Sequence, residues 1–544
     1  MKFDEVLTEI GEFGRYQKIK YLLICCVGIT AAFHALSSVF TIYTPRHRCS
    51  LSSTVFNGTD SWKSQSSEHA RLIDLYVPKD SDGNYDSCSL KVYDEQNGKS
   101  SNNTASCQSW VYDDEQLVNS IITSWDLVCD KKLLATLSSS MFMFGNLVGS
   151  IVCGILSDLL GRRKTLLIGI LGQLLSGIVM TFAPEFYTFT IFRFLIGIFN
   201  MQTFLTGFVL GMELIGPNYR IIAGIVIEIF WAIGFLILIG LGYAIKRWMY
   251  IQLVITLPVI LFIAYYWLLP ESARWLLTKG RIYEAEEILQ NAARVNGKTL
   301  QHGVLSMLEG PKKAESPKAL LRAPKLLIRT LIIFFNWFVI SMTYYGLSLN
   351  SGNMPGSLYV NLTLSAVAEL LGYLICFLCY ITGRKIMHVV AMIVGGLGCI
   401  CSIPILYIDN VTEDQRNTYF VALNFIGKLG VTIGFGVIYF WCAEIFPTVL
   451  RTSLMGGSST FARIGSIFAP VIADIGKLVP AKYKLILPPI IFGILTISGG
   501  LLSIALPETT GHDLPDTIEE ANIFPEKLEE NTEQEKAEEK EQNL

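Results

Sequence analysis

The sequence is poor in charge. Asp, Glu, Lys and Arg together make up 16% of 544 residues, against 51% hydrophobic residues, and the six histidines are scattered. So few charges rule against a large soluble enzyme, a fibrous protein or a disordered hub. A formal net charge of -3 with no clustered basic stripe excludes nucleic acid as the partner. There is no nucleotide-binding glycine loop, no His cluster at metal-ligand spacing and no nucleophile elbow, so neither an enzyme nor a bound cofactor or metal is expected. What is present is apolar runs long enough to cross about 30 Å of hydrocarbon, which makes a lipid bilayer the first expected partner.

These runs begin near Tyr21, Leu134, Thr165, Phe186, Ile221 and Met249, and after a polar gap near Leu326, Leu358, Met387, Tyr419, Leu454 and Leu485. The pattern of six, a break and six more predicts an all-α membrane protein. Its twelve transmembrane helices would form two pseudo-symmetric six-helix bundles. The expected layout is a cytoplasmic N-terminus over 1–20, a first span over 21–43, an extracellular loop over 44–132 and spans two to six over 133–270. A cytoplasmic loop over 271–325, the last six spans over 326–507 and an acidic cytoplasmic tail over 508–544 complete it. The first run lacks an Ala-x-Ala-like cleavage site and reads as a retained span.

The first loop carries Cys49, Cys88, Cys107 and Cys129 and the sequons at Asn57 and Asn102. Four cysteines and two glycosylation acceptors suggest an oxidising, extracytoplasmic face with two disulfides whose pairing the spacing leaves open. The other eight cysteines lie in or near apolar spans and read as small buried side chains. Sequons at Asn361, in or near a span, and at Asn410, close to the membrane, are weaker acceptors. The second gap carries nine Lys and Arg between Arg274 and Arg322, which the positive-inside rule puts in the cytoplasm. Its stretch from Arg281 to Arg294 reads as a short surface helix, and the Glu-rich last two dozen residues as a solvated tail.

The chain also echoes itself. Gly161-Arg162-Arg163 follows the second span and Gly383-Arg384-Lys385 the eighth. Glu213 and Arg220 close the fourth span, and Glu444 and Arg451 the tenth at the same separation; Pro270-Glu271 ends the sixth and Pro507-Glu508 the twelfth. Asp158, Glu213 and Glu444 are therefore expected to pair with Arg162, Arg163, Arg220, Arg384 and Arg451 between neighbouring helices, as gates between conformations. The alternative is that these arginines only fix topology.

Gly154-Ile-Leu-Ser-Asp158-Leu-Leu-Gly161-Arg162-Arg163-Lys164 resembles the loop 2–3 signature of the major facilitator superfamily. Trp125-Asp-Leu-Val-Cys129, Pro270-Glu-Ser-Ala-Arg-Trp-Leu276, Tyr344-Tyr-Gly-Leu347, Glu444-Ile-Phe-Pro-Thr-Val-Leu-Arg451 and Leu506-Pro-Glu-Thr509 with Leu514-Pro-Asp-Thr-Ile-Glu519 narrow this. Together they resemble the organic cation, anion and carnitine transporters of solute carrier family 22. The resemblance implies a plasma-membrane carrier of small organic ions that works by alternating access, with sodium or a proton as a possible coupling ion.

Ionisable residues inside spans are costly and point to function. Arg193 and Lys428 match general family features. Arg463 stands where the resemblance implies Arg in anion and carnitine carriers and Asp in cation carriers; it could hold a substrate carboxylate bidentately or pair with a neighbouring helix. Glu369 matches cation and carnitine carriers, and Tyr373 takes the place of the Lys that anion carriers have. Glu228 could serve a cationic headgroup, bind a coupling ion or balance Arg193. Aromatics on central spans, among them Phe204, Trp231, Tyr345, Tyr373 and Tyr439, suit a quaternary ammonium. The leading expectation is a carrier of zwitterionic or cationic amines such as carnitine-like compounds. The alternatives are an organic anion exchanger of the same family and a non-transporting membrane receptor.

Overall fold

The computed structural model describes residues 3–52, 55–56, 58–79, 85–94, 99–307, 317–408, 411–479, 483–512 and 515–524. Its frame is twelve helices. The first six are α1 (Arg15–Thr41), α2 (Lys132–Leu160), α3 (Arg162–Thr181), α4 (Phe186–Leu214), α5 (Arg220–Ile245) and α6 (Trp248–Leu268). The second six are α7 (Pro324–Asn350), α8 (Leu358–Thr382), α9 (Arg384–Ile405), α10 (Glu413–Ile445), α11 (Arg451–Ala473) and α12 (Leu487–Ser503).

All but α11 and α12 are long and apolar enough by themselves to cross a membrane. The exceptions have local causes: α11 carries Arg451, Arg463 and a run of Ser, Thr and Gly, and α12 opens on Leu-Pro-Pro and runs only 17 residues. The helices begin within a few residues of the apolar runs. The largest differences are at α1 and α10, each starting six residues before its apolar run, because the helix is capped in polar sequence. At α10, Thr412 and Gln415 form a reciprocal capping box.

Burial separates two environments. Trp337, Trp441, Phe142, Phe189, Phe235 and Phe420 are fully enclosed between helices, whereas Ile155, Leu175, Leu261, Trp267, Ile381 and Leu501 are exposed on the outer surface. So wide an apolar outer surface is stable only against hydrocarbon, where helices satisfy their own backbone groups.

One end of the bundles carries the helix Phe3–Glu9, the helices that follow α6 and the last described helix, Ile518–Ile523. Helix Phe3–Glu9 packs Val6 and Leu7, with Ile10 beyond it, onto helices Ala273–Thr278 and Ile282–Val295; the latter is the surface helix expected from the sequence. Asn296 ties this assembly to the start of α1, accepting from the Tyr16 backbone N–H at 2.9 Å and donating to Ile10 O at 2.9 Å and Gln17 Oε1 at 2.8 Å. Of the expected tail, residues 508–512 and 515–524 pack back on the second bundle: helix Ile518–Ile523 buries Ile518 and Ala521, and Asn522 Oδ1 caps the first backbone N–H groups of α7. Residues 525–544 lie outside the described residues.

The opposite end carries the cysteine loop, where the all-α expectation gives way to two small antiparallel ribbons. β1 (His47–Cys49) pairs with β4 (Trp110–Tyr112), and β2 (Ser89–Asp94) with β3 (Lys99–Ser106). Disulfides join Cys49 to Cys107 and Cys88 to Cys129, the pairing that spacing left open. Asp60 fastens the loop's interior. Burial alone would raise its carboxyl, but donation from Arg48 (2.9 Å), the Leu51 N–H (2.8 Å) and His69 (2.8 Å) holds it below the usual carboxylate range. Asn102 lies in β3; Asn57 and Asn410 lie outside the described residues, and Asn361 is buried at the start of α8.

Candidate substrate-binding site

Between the bundles, residues of the two halves line one small, nearly closed cavity of about 30 Å³. The first half supplies Ala35 of α1, Asn146 of α2, Asn200, Met201 and Phe204 of α4, and Glu228 and Trp231 of α5. The second supplies Tyr344 and Tyr345 of α7, Tyr373 of α8, Phe435 and Tyr439 of α10, and Arg463 of α11. Seven of the eight residues expected to meet substrate thus share one cavity. Arg463, Phe204 and Trp231 lie near the middle of their helices, whereas Tyr345 and Tyr439 lie nearer the C-terminal ends of α7 and α10.

The two charges in the wall come from opposite bundles. Glu228 lies close enough to Tyr373 to accept its hydroxyl hydrogen and within electrostatic range of both Glu369 and Arg463. Rings form the rest of the wall: Phe204 meets Trp231 edge-on at 5.5 Å, Tyr439 meets Phe435 at 5.4 Å and Trp337 at 4.5 Å, and Tyr344 lies 5.1 Å from Phe435. Trp337 supports the wall from behind.

Glu369, the eighth residue, does not line the cavity but lies behind its wall, within electrostatic range of Glu228 and Tyr373. It is fully buried and ion-paired with Lys428 at 2.7 Å, while Lys428 also donates to Ser348 Oγ at 2.6 Å and Tyr344 O at 3.1 Å and sits 3.4 Å over the Tyr344 ring. A carboxylate whose charge is met inside its own bundle is not free to attract an ammonium. Glu228 does not balance Arg193 either: Arg193 donates to Ser37 and Ser38 of α1 and stacks on Phe142.

The charged corners at the terminus-bearing end repeat as the sequence echoes do. Arg162 forks onto Glu213 with two contacts of 3.1 Å and reaches Asp158 at 3.3 Å; Arg384 holds Glu444 at 3.3 Å. The other pairings differ from expectation. Arg220 pairs with Asp4 of the N-terminal helix at 2.7 Å instead of with Glu213, because that helix docks on the corner. Arg163 lies over the Tyr266 ring and donates to Tyr266 O, and Arg451 donates to Phe446 O at 3.2 Å. All these contacts stay within one bundle.

Two acids that the sequence marked only as echoes complete the corners. Glu271 accepts the backbone N–H of Arg162 at 2.7 Å and of Arg163 at 3.1 Å; Glu508 accepts those of Arg384 at 3.1 Å and Lys385 at 3.0 Å. Each satisfies the orphan donors of a helix start and complements its dipole. The glycine before each start has positive φ, 97° at Gly161 and 84° at Gly383, and a side chain there would run into the carboxylate. Burial opposes ionisation of Glu508, but hydrogen bonds from Thr510, Arg384 and Thr509 hold its carboxyl below the usual range.

The bundles themselves are joined at the disulfide-bearing end. Thr136 of α2 donates to Asp474 at 2.6 Å, Ser140 to Ile467 O of α11 at 3.2 Å, and Tyr359 of α8 to Gln116 O at 2.7 Å.

Residues 83–520 match the family model described as sugar (and other) transporter. The chain is 38% identical to an organic cation transporter protein of Drosophila melanogaster, over 96% of its own length and 95% of that protein. It is 32% identical to organic cation/carnitine transporter 2 of Homo sapiens over 95% and 93%. The chain belongs to solute carrier family 22. The fold is that of the major facilitator superfamily, matching the xylose transporter XylE from E. coli in a partially occluded inward open conformation with a TM-score of 0.60 at 14% identity, over 92% of this chain and all of that one. The relatives are transporters and not enzymes, and the protein is a multi-pass membrane transporter of organic ions.

Several cavity residues of the transporter were not singled out from sequence. Asn146 and Asn200 are polar residues in mid-span, a signal available in principle, whereas Ala35 and Met201 carry none. Phe435 is indistinguishable in sequence from packing aromatics, whereas Tyr344 is one of the central-span aromatics expected to line the cavity.

Proposed function

We propose that this transporter carries small zwitterionic or cationic amines of the carnitine type across the plasma membrane by alternating access. Both termini would then lie in the cytoplasm, with the disulfide-bearing loop and the sequons at Asn57 and Asn102 outside. The observation that carries the reading is the opposed pair in one aromatic cavity: Arg463 from the second bundle and Glu228 from the first. The guanidinium offers a planar fork to a carboxylate. Glu228, with the faces of Trp231, Phe204, Tyr345, Tyr373 and Tyr439, suits an ammonium that sheds water on binding. Glu369 passes from the substrate to the framework. An organic anion exchanger fits less well, because Lys428 is neutralised by Glu369 and Glu228 would repel a second negative charge.

The test is uptake into proteoliposomes of radiolabelled carnitine, a simple quaternary cation and a dicarboxylate, with and without sodium or proton gradients. Carnitine uptake should exceed the other two. Arg463→Asp should lower carnitine uptake roughly 10- to 150-fold, the equivalent of a charge-assisted contact of about 1.5–3 kcal/mol, and spare the plain cation. Accumulation of the dicarboxylate alone, or equal loss of both substrates in Arg463→Asp, would refute the assignment.

A further inference from the structure

The first bundle contains a second polar site, separate from the central cavity. Arg193 on α4 is fully buried. Its two terminal nitrogens donate to Ser37 Oγ, at 3.4 Å, and Ser38 Oγ, its guanidinium rests 5.0 Å from the Phe142 ring centre, and its Nε has no hydrogen-bond partner. None of these contacts brings negative charge, and no carboxylate ion-pairs with Arg193 among the described residues. A guanidinium stays protonated, and a buried charge is tolerated only when it is met.

The facing surface of α1 is built to donate. His34, Ser37 and Ser38 lie at i, i+3 and i+4 and so share one helix face. His34 is fully buried with neither ring nitrogen hydrogen-bonded, and its ring lies within electrostatic range of Arg193. Of the two hydroxyls that accept from Arg193, Ser37 donates its hydrogen to His34 O at 3.2 Å and Ser38 keeps one to give. Arg193 is two helical turns from Asn200, the nearest α4 residue of the central cavity, which places this cluster about 10 Å along the helix toward the disulfide-bearing end.

We propose that Arg193, Ser37, Ser38 and His34 bind one monovalent inorganic anion of chloride's size. One guanidinium calls for one negative charge, and the remaining groups offer only neutral donors. The Arg193 Nε–H, an imidazole N–H and the Ser38 hydroxyl make the donor set for a spherical ion, with Ser37 holding the guanidinium in place. A substrate carboxylate is served by Arg463 in a different compartment.

The thermal unfolding midpoint of the purified full-length protein, followed as chloride replaces gluconate at constant ionic strength, tests this without reference to transport. The midpoint should rise with chloride and saturate. Arg193→Gln should abolish the rise, and Ser38→Ala, which keeps the guanidinium and provides the test should Arg193→Gln fail to fold, should raise the half-saturating chloride concentration several-fold. Arg463→Gln should retain the wild-type response. The proposal is overturned if the wild type does not respond or if Ser38→Ala responds as the wild type does. It is equally overturned if Arg463→Gln loses the response, or if acetate raises the midpoint where chloride does not.

Discussion

The pair Glu369–Lys428 separates a framework role from a substrate role and allows the sharpest test. The two side chains are 0% and 3% exposed and 2.7 Å apart. Removing one partner of such a pair leaves a charge buried without compensation, at about 3–5 kcal/mol, whereas replacing both with neutral groups of similar volume costs about 1 kcal/mol or less. Glu369→Gln and Lys428→Met alone should therefore each lower the thermal unfolding midpoint by roughly 10 °C, at 2–4 °C per kcal/mol for a unit of bundle size. The double variant should return to within a few degrees of wild type, giving a coupling energy of about 5–9 kcal/mol. Uptake of a quaternary ammonium by the refolded double variant, corrected for the amount of folded protein, should recover at least in large part. A double variant that folds well but no longer takes up the cation would make Glu369 a substrate ligand and return the site to the arrangement expected from sequence alone.

Other consequences follow from the ends of the bundles. Thr136→Val removes a donor to Asp474 across the seam, so states open at the disulfide-bearing end should gain about 1.5–3 kcal/mol; the rate of maleimide labelling of a cysteine introduced at Ser139 should rise at least tenfold, and an unchanged rate would count against this contact as a gate. Gly161→Ala and Gly383→Ala impose a left-handed backbone at about 1–2 kcal/mol and crowd a carboxylate as well, so both should destabilise more than Gly280→Ala, where φ is 72° but the space is open. Glu508 has a depressed carboxyl, so its stabilisation is present above the unfolded value near 4.3 and is lost as pH falls through the folded value below it. The thermal midpoint should therefore fall between about pH 4.5 and 3, and Glu508→Gln should flatten that part of the profile.

The spans were legible because hydrocarbon imposes a length and a composition that no packing detail overrides. The corner echoes were legible because two similar bundles reuse the same helix starts. Partnerships were less so. Nothing in Arg220 announces that Asp4, more than two hundred residues away, would reach it before Glu213, since that depends on how Val6, Leu7 and Ile10 seat the N-terminal helix. Glu369 read as a candidate for substrate and Lys428 as a general family feature, and their mutual cancellation is set by the crossing of α8 and α10 with α7. Arg463, Glu228 and the rings were found from residue type and depth in the span, properties that survive ignorance of the contacts.

Cancellation of Glu369 by Lys428 changes the energetics of transport as well as the residue list. With that pair internal to the second bundle, the charges left at the seam are one from each side, Glu228 and Arg463. A ligand moves a conformational equilibrium only by the difference in its affinity for the two states. Taking a two-state carrier from 1:99 to 99:1 requires about 5.5 kcal/mol. A charge-assisted contact supplies about 1.5–3 kcal/mol. A plain cation reaching only Glu228 therefore supplies at most about half of what is needed, and a monocarboxylate reaching only Arg463 no more. A zwitterion that engages both charges when the bundles close around it, and one at most when they part, supplies about 3–6 kcal/mol. On this arithmetic the seam selects for substrates carrying both charges through closure itself, and a plain cation should be transported more slowly even where it binds equally well.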